Sequence, residues 1–350
     1  VFRSGLIVSL CLLASCEQTP KRTLYQPSTI DSGIANLPEV GTLYDSGALD
    51  DLRYLDAQVD QDAEQVAVDA NDIDAGLVYP PEVLLGGSER PAIMHIPKGY
   101  DGRKALPIVL QLHGYTMNAD VQESYFRMAS RVDSRQFFLV RPNGTIEASF
   151  ESHRFWNAIP NACCNFYRSS VDDVGYLLGL IDEAKARFSV DATRVYLIGY
   201  SNGGFMSYRM ACDHADQITA IVSLAGSTFL NEADCNASEP VSVLQIHGDR
   251  DTIVPYFGVN MNGYAYPGAQ ETVERWATRA GCDISEVALQ PNFDLDGRVR
   301  GHETEVVDYI QDCRAGFGVS LWRIRDGTHT PGLSDSFRDG VLDWLFQYQK

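Results

Sequence analysis

A single α/β domain over residues 85–350 is what the sequence predicts, with a mostly parallel sheet and helices on both of its faces. Three observations carry this expectation. Short aliphatic runs recur after Pro91, stretches with helical spacing separate them, and a 350-residue chain that is 45% hydrophobic can bury one large core. Alternation matters because parallel neighbours need a long crossover between them, usually a helix.

The strands are expected at Ile108–Leu112, Phe137–Val140, Arg194–Ile198, Ala220–Leu224, Val241–Ile246 and Ser320–Ile324. Between them, Val171–Phe188 reads as a helix with Val174, Leu177, Leu178, Ile181 and Ala184 on one face. Further helices are expected at Gly204–Cys212, Gln270–Ala280 and Ser334–Gln349. Asp172 and Asp173 open the first of these, where a carboxylate caps free N–H groups and is favoured by the helix dipole.

The N-terminal part has another texture. Arg3, the apolar run Leu6–Leu13 and the small residues after it read as an export signal over residues 1–15, too short to span a bilayer. Leu13-Ala14-Ser15-Cys16 resembles the bacterial lipobox, which implies lipidation at Cys16, and Glu17 after it favours the outer membrane or cell surface. Residues 16–84 show no sustained apolar periodicity. They are expected to form an acidic, disordered tether with a mean reach of about 45 Å. Of the net charge of −19, the larger share lies between residues 17 and 85, where fourteen acidic residues meet three basic ones. Such a chain is unsuited to nucleic acid, which needs clustered Lys and Arg.

Export also changes the reading of cysteine. With Cys11 in the signal and Cys16 lipidated, six remain, an even set that suggests disulfides in an oxidising compartment. Proximity in sequence favours Cys212–Cys235 and Cys282–Cys313. That leaves the adjacent Cys163 and Cys164 as a vicinal disulfide or as free thiols.

The chemistry centres on Gly199-Tyr200-Ser201-Asn202-Gly203, set between a strand and a helix. This is the nucleophile elbow of the α/β-hydrolase fold: a sharp turn lifts the Ser hydroxyl above the carboxyl edge of the sheet. Serine needs a base, and the base needs a group to orient it, in the chain order Ser, acid, His. Asp249 and Asp251 both follow the strand ending at Ile246, and the chemistry of the residues leaves either as the acid. His329, in the loop after the last strand, is the one histidine placed to be the base; His113 precedes Ser201 and reads as a packing residue. Tyr115, after Leu112-His113-Gly114, and Asn202 are expected to offer backbone N–H groups to an oxyanion.

These blocks resemble the polyhydroxybutyrate-depolymerase-like and feruloyl-esterase group of carbohydrate esterase family 1. The likeness is carried by Leu112-His113-Gly114, Trp156-Asn157 with Cys163-Cys164, Val171–Gly175, Gly199–Gly204, His247-Gly248-x-x-Asp251-x-x-Val254-Pro255-Tyr256 and Gly327–Thr330. It implies a serine esterase that works without a metal or organic cofactor, with Asp251 as the acid. Thr330-Pro331-Gly332 lacks the Trp usual after the base, which changes one pocket wall. The implied substrates are feruloyl or acetyl esters of plant polysaccharide, or a hydroxyalkanoate polyester. Other readings are a peptidase on the same fold, and a surface lipoprotein that binds without catalysis. Trp156 in the aromatic segment 144–170, and Tyr256 in the Tyr-rich run 256–266, are candidate substrate contacts; Trp156 reads equally as a core anchor.

Overall fold

The computed structural model describes residues 78–148, 150–166, 168–261 and 264–350. The expected signal, Cys16 and most of the tether lie outside them. In chain order the elements are β1 (Glu82–Leu85), β2 (Ala92–His95), β3 (Leu106–Leu112), α1 (Ala119–Phe126), α2 (Val132–Arg135), β4 (Phe138–Arg141), β5 (Thr145–Glu147), β6 (Phe150–Phe155) and α3 (Asp173–Arg187). Then follow β7 (Val190–Tyr200), α4 (Asn202–Asp213), β8 (Ala220–Leu224), β9 (Ser242–Gly248), β10 (Gly258–Met261), β11 (Tyr264–Pro267) and α5 (Ala269–Arg279). β12 (Ala288–Phe293), β13 (Thr304–Tyr309), β14 (Val319–Ile324) and α6 (Asp335–Leu345) close the chain. This is the α/β-hydrolase fold.

The main sheet has ten strands in the order β1-β2-β4-β3-β7-β8-β9-β14-β13-β12. Its centre, from β4 to β14, is parallel, and these six are the strands expected from the sequence. They are buried on both faces. Ile108 and Leu110 face one core while Val109 faces the other, and Val195 and Leu197 alternate in the same way with Tyr196 and Ile198. One core is closed by α3, α4 and α5 through Leu177, Phe205 and Trp276; the other by α1, α2 and α6 through Phe126, Val132 and Phe337.

The antiparallel edges were not expected. β1 and β2 flank one side, starting at Glu82 inside the stretch read as tether, and β13 and β12 flank the other. β12 carries four consecutive exposed residues, so it lacks the apolar run that marks a central strand. The face of α3 also differs from expectation. Leu180 and Asp173 join Leu177, Ile181 and Ala184 in the interior, while Val174 and Leu178 lie half-buried at its rim. Asp172 caps this helix as expected, accepting from the Gly175 N–H at 2.8 Å. Asp173 does not cap: it is buried against Arg90 at 2.6 Å and accepts from the Asn157 N–H.

Candidate active site

β7 delivers Ser201 to the carboxyl edge of the sheet, between Tyr200 and the first residue of α4. Its backbone is strained, with φ 52° and ψ −116°, a region few non-glycine residues adopt. The turn is held by the Ser201 N–H, which donates to Leu224 O at 2.8 Å, and by close packing around it. A Cβ on Gly199 would stand 2.1 Å from Gly203 O, and one on Gly203 would stand 2.3 Å from Leu112 O. Side chains are excluded at both positions, which lets α4 start directly against the loop that follows β3.

The other two members arrive from neighbouring strands. His329, in the loop after β14, places Nε2 3.0 Å from Ser201 Oγ and Nδ1 2.7 Å from Asp251 Oδ2. With the Nδ1 proton donated to the carboxylate, Nε2 is left to accept from the serine hydroxyl. Asp251, after β9, is buried and accepts the N–H groups of Ile253 and Val254 on Oδ1, each at 2.8 Å. Burial works to raise its carboxyl, but hydrogen bonds from His247 and His329 outweigh that and hold it well below the ordinary carboxylate range. Asp249 points elsewhere, into an ion pair with Arg323 at 2.8 Å, and it accepts from the Asp326 N–H.

The start of α4, which bears Asn202, packs against the loop after β3, which bears Tyr115: a Cβ on Gly203 would stand 2.3 Å from Leu112 O and 2.7 Å from His113 O. Asn202 opens α4, so its N–H lies at the positive end of the helix dipole. Its side chain grips the Trp156 backbone, accepting from N at 2.7 Å and donating to O at 3.1 Å. The loop bearing Tyr115 is pinned by His113, whose Nε2 accepts from the Gly144 N–H while Nδ1 meets Gly114 O, both at 2.8 Å. His113 is thus a packing residue, as expected. Burial pushes its imidazole down to about 4, so the folded state resists its protonation. An unfolded chain with an ordinary histidine pKa of about 6.5 binds this proton earlier, so the contribution of His113 to stability is full above about 6.5 and lost as pH falls towards 4. Its size is about 3 kcal/mol. Urea unfolding of the wild type at pH 7 and pH 4.5 should show a larger loss on acidification than the same pair measured on His113→Gln.

Residues 100–275 match the profile of the family described as Phospholipase/Carboxylesterase, half of the chain. The chain belongs to the phospholipase/carboxylesterase family. Among curated proteins, this family member is 27% identical over 268 residues to Feruloyl esterase B of Piromyces equi, covering 74% of this chain and 45% of that protein. The match thus spans less than half of that relative's length. Feruloyl esterase C of Emericella nidulans is also 27% identical, over 218 residues, covering 60% of this chain and 69% of that one. The solved acetyl xylan esterase from Aspergillus awamori superimposes with a TM-score of 0.53 at 14% identity, covering 76% of this chain and 98% of that one, a likeness of fold.

In this carboxylesterase-family chain Trp156 takes the core-anchor alternative, and Tyr256 is largely buried. Trp156 is fully buried, donating its indole N–H to His113 O at 3.0 Å beneath Arg90, so no ligand reaches its face. Tyr256 is buried as well, its ring edge-on to His247 and below Arg323. Trp156→Ala should therefore lower stability by about 3–5 kcal/mol, measured by urea unfolding. A purely ligand-stacking residue would instead raise KM at unchanged stability.

Sequence reading named Tyr115, the aromatic segment 144–170 and the Tyr-rich run 256–266 without joining them. The Tyr115 ring stands edge-on to Phe166 at 5.1 Å, and Phe166 lies 6.1 Å from Tyr264; Phe166 and Tyr264 are exposed. Tyr115 donates its hydroxyl to the buried Glu147 at 2.7 Å. Only the fold unites these aromatics, which come from three separate segments. Disulfides join Cys212 to Cys235 and Cys282 to Cys313 as expected, and Cys163 to Cys164 in the vicinal alternative. Among the described residues no group of His, Cys, Asp and Glu has the arrangement to hold a metal, and no helix is long and apolar enough to cross a membrane.

Proposed function

We propose that the chain is an exported serine esterase that hydrolyses feruloyl or acetyl esters of plant polysaccharide through an acyl-enzyme. The observation that carries this reading is the continuous hydrogen-bond path from Asp251 through His329 to Ser201 at the carboxyl edge of the sheet. His329 Nε2 takes the proton from Ser201 Oγ as that oxygen attacks the ester carbonyl. The N–H groups of Tyr115 and Asn202 receive the negative charge that forms on the carbonyl oxygen. Collapse expels the alkoxide, which takes the proton from His329, and leaves the acyl group on Ser201. Water then repeats the attack with His329 as base, and the carboxylic acid leaves.

The aromatic rim of Tyr115, Phe166 and Tyr264 supports an aromatic acyl group, since its rings extend from the oxyanion loop towards solvent. The names of the relatives agree with this class. Disulfides support an oxidising compartment. We assign the anchor to a lipid on Cys16, which palmitate labelling should detect in the full chain and lose in Cys16→Ser.

Methyl ferulate, acetylated xylan, polyhydroxybutyrate and a peptide p-nitroanilide should be compared on one preparation, with a phosphonate probe to mark the nucleophile. Turnover of methyl ferulate or acetylated xylan is expected, with the phosphonate on Ser201. Cleavage confined to the polyester or to the anilide would overturn the substrate assignment. A chain inert to every ester and to the phosphonate would be a binding protein.

A further inference from the structure

β9 ends in a buried polar chain that the reaction above does not use. Gln245 and His247 stand two residues apart on this strand, on one face, and both are fully buried. Tyr208, from α4, donates its hydroxyl to Gln245 Oε1 at 2.8 Å, and Gln245 Nε2 donates to Gly226 O at 2.8 Å. Because Gly226 O can only accept, the amide has one orientation. Its second N–H then meets His247 Nδ1 at 2.9 Å. A ring nitrogen that accepts from an amide carries no proton, so the His247 proton is on Nε2. That N–H faces Val254 O at 2.8 Å and Asp251 Oδ2 at 3.3 Å.

Asp251 Oδ2 is therefore shared between two imidazoles, those of His329 and His247, while Oδ1 is filled by two backbone N–H groups. We propose that His247 is a positioning residue for the triad: held as its Nε2–H tautomer, it fixes the Asp251 carboxylate and limits how basic that carboxylate makes His329. Two donors on one oxygen compete for its charge, so losing one strengthens the other bond. Without His247 the carboxylate favours the protonated His329 more strongly, and it loses one of the contacts that set its direction.

Other ionisable groups surround the same carboxylate. Tyr266 faces Asp251, Tyr256 stands against the His247 ring, and Tyr200 stands against His329. Arg323, paired with Asp249, stands 5.6 Å from the Tyr256 ring centre. Burial raises Tyr256 and Tyr266 to about 12, which keeps both neutral through the range in which a histidine titrates.

This inference rests on Asp251 being the acid of the triad. The test uses the whole chain with a soluble p-nitrophenyl ester. His247→Met removes the donor, whereas His247→Gln keeps an amide N–H near the Nε2 position. His247→Met should lower kcat by about 10- to 100-fold, the usual range for a group that orients an active residue from behind. It should also move the acid limb of the kcat/KM profile to higher pH at little change in KM. His247→Gln should restore most of the rate and the wild-type limb. A folded His247→Met enzyme with an unmoved acid limb would overturn the proposal, because a purely structural role changes the folded fraction and not the titration. Should the Met variant fail to fold, ¹⁵N histidine spectra of the wild type decide: an Nε2–H tautomer at His247 supports the role and an Nδ1–H tautomer sinks it. If Asp251 itself were not the acid, Asp251→Asn would stay active, a separate outcome.

Discussion

Ser201→Ala should leave a folded protein whose kcat on a p-nitrophenyl ester is lower by about 10⁶-fold, the loss typical when a nucleophile of this kind is removed. Only the attacking oxygen disappears. Ser201 N still donates to Leu224 O and Ser201 O still accepts from Phe205 N, because both bonds are backbone. Alanine inherits the strained φ that the serine already carries, so any change of stability is expected to be small beside the loss of rate. Circular dichroism separates the two effects. Near-wild-type turnover in a folded Ser201→Ala protein would remove the serine mechanism altogether.

The second large effect concerns the acid. Asp251→Asn should lower kcat by about 10⁴-fold, since an amide in this place favours the wrong tautomer of His329. Asp249→Asn provides the contrast. Its side chain serves Arg323 and the Asp326 N–H at the rim of the loop, so kcat should change by less than about 3-fold, consistent with a surface pair worth under 1 kcal/mol. If Asp249→Asn proved the crippling change, the assignment of the acid would fall. The held-down carboxyl of Asp251 bears on the pH profile too. It stays ionised through the neutral range, so its own titration does not set the acid limb of activity.

Residues buried on both faces of the sheet were the legible ones. Ile108–Leu112 and Ala220–Leu224 are continuous apolar runs because helices cover both sides of them, and that pattern survives in a single sequence. β12 and β1 escaped notice because edge strands have one neighbour and carry polar or exposed residues. At the site, chain order singled out Ser201 and His329. Asp249 and Asp251 are chemically alike and two residues apart, so separating them needed either the family resemblance or the direction of each side chain. Trp156 is a position where the sequence left two readings open. An aromatic in a long polar segment reads as available to a ligand, and nothing local reveals that Asn202 and His113 draw it inward.

The outermost strand has a meaning for solubility. β12 presents Leu289, Gln290, Pro291 and Asn292 to solvent, and its register with β13 breaks between Gln290 and Phe293. A proline gives no N–H, and an irregular register bends the strand away from a flat template. Two copies meeting through β12 would find no uninterrupted ladder to extend there.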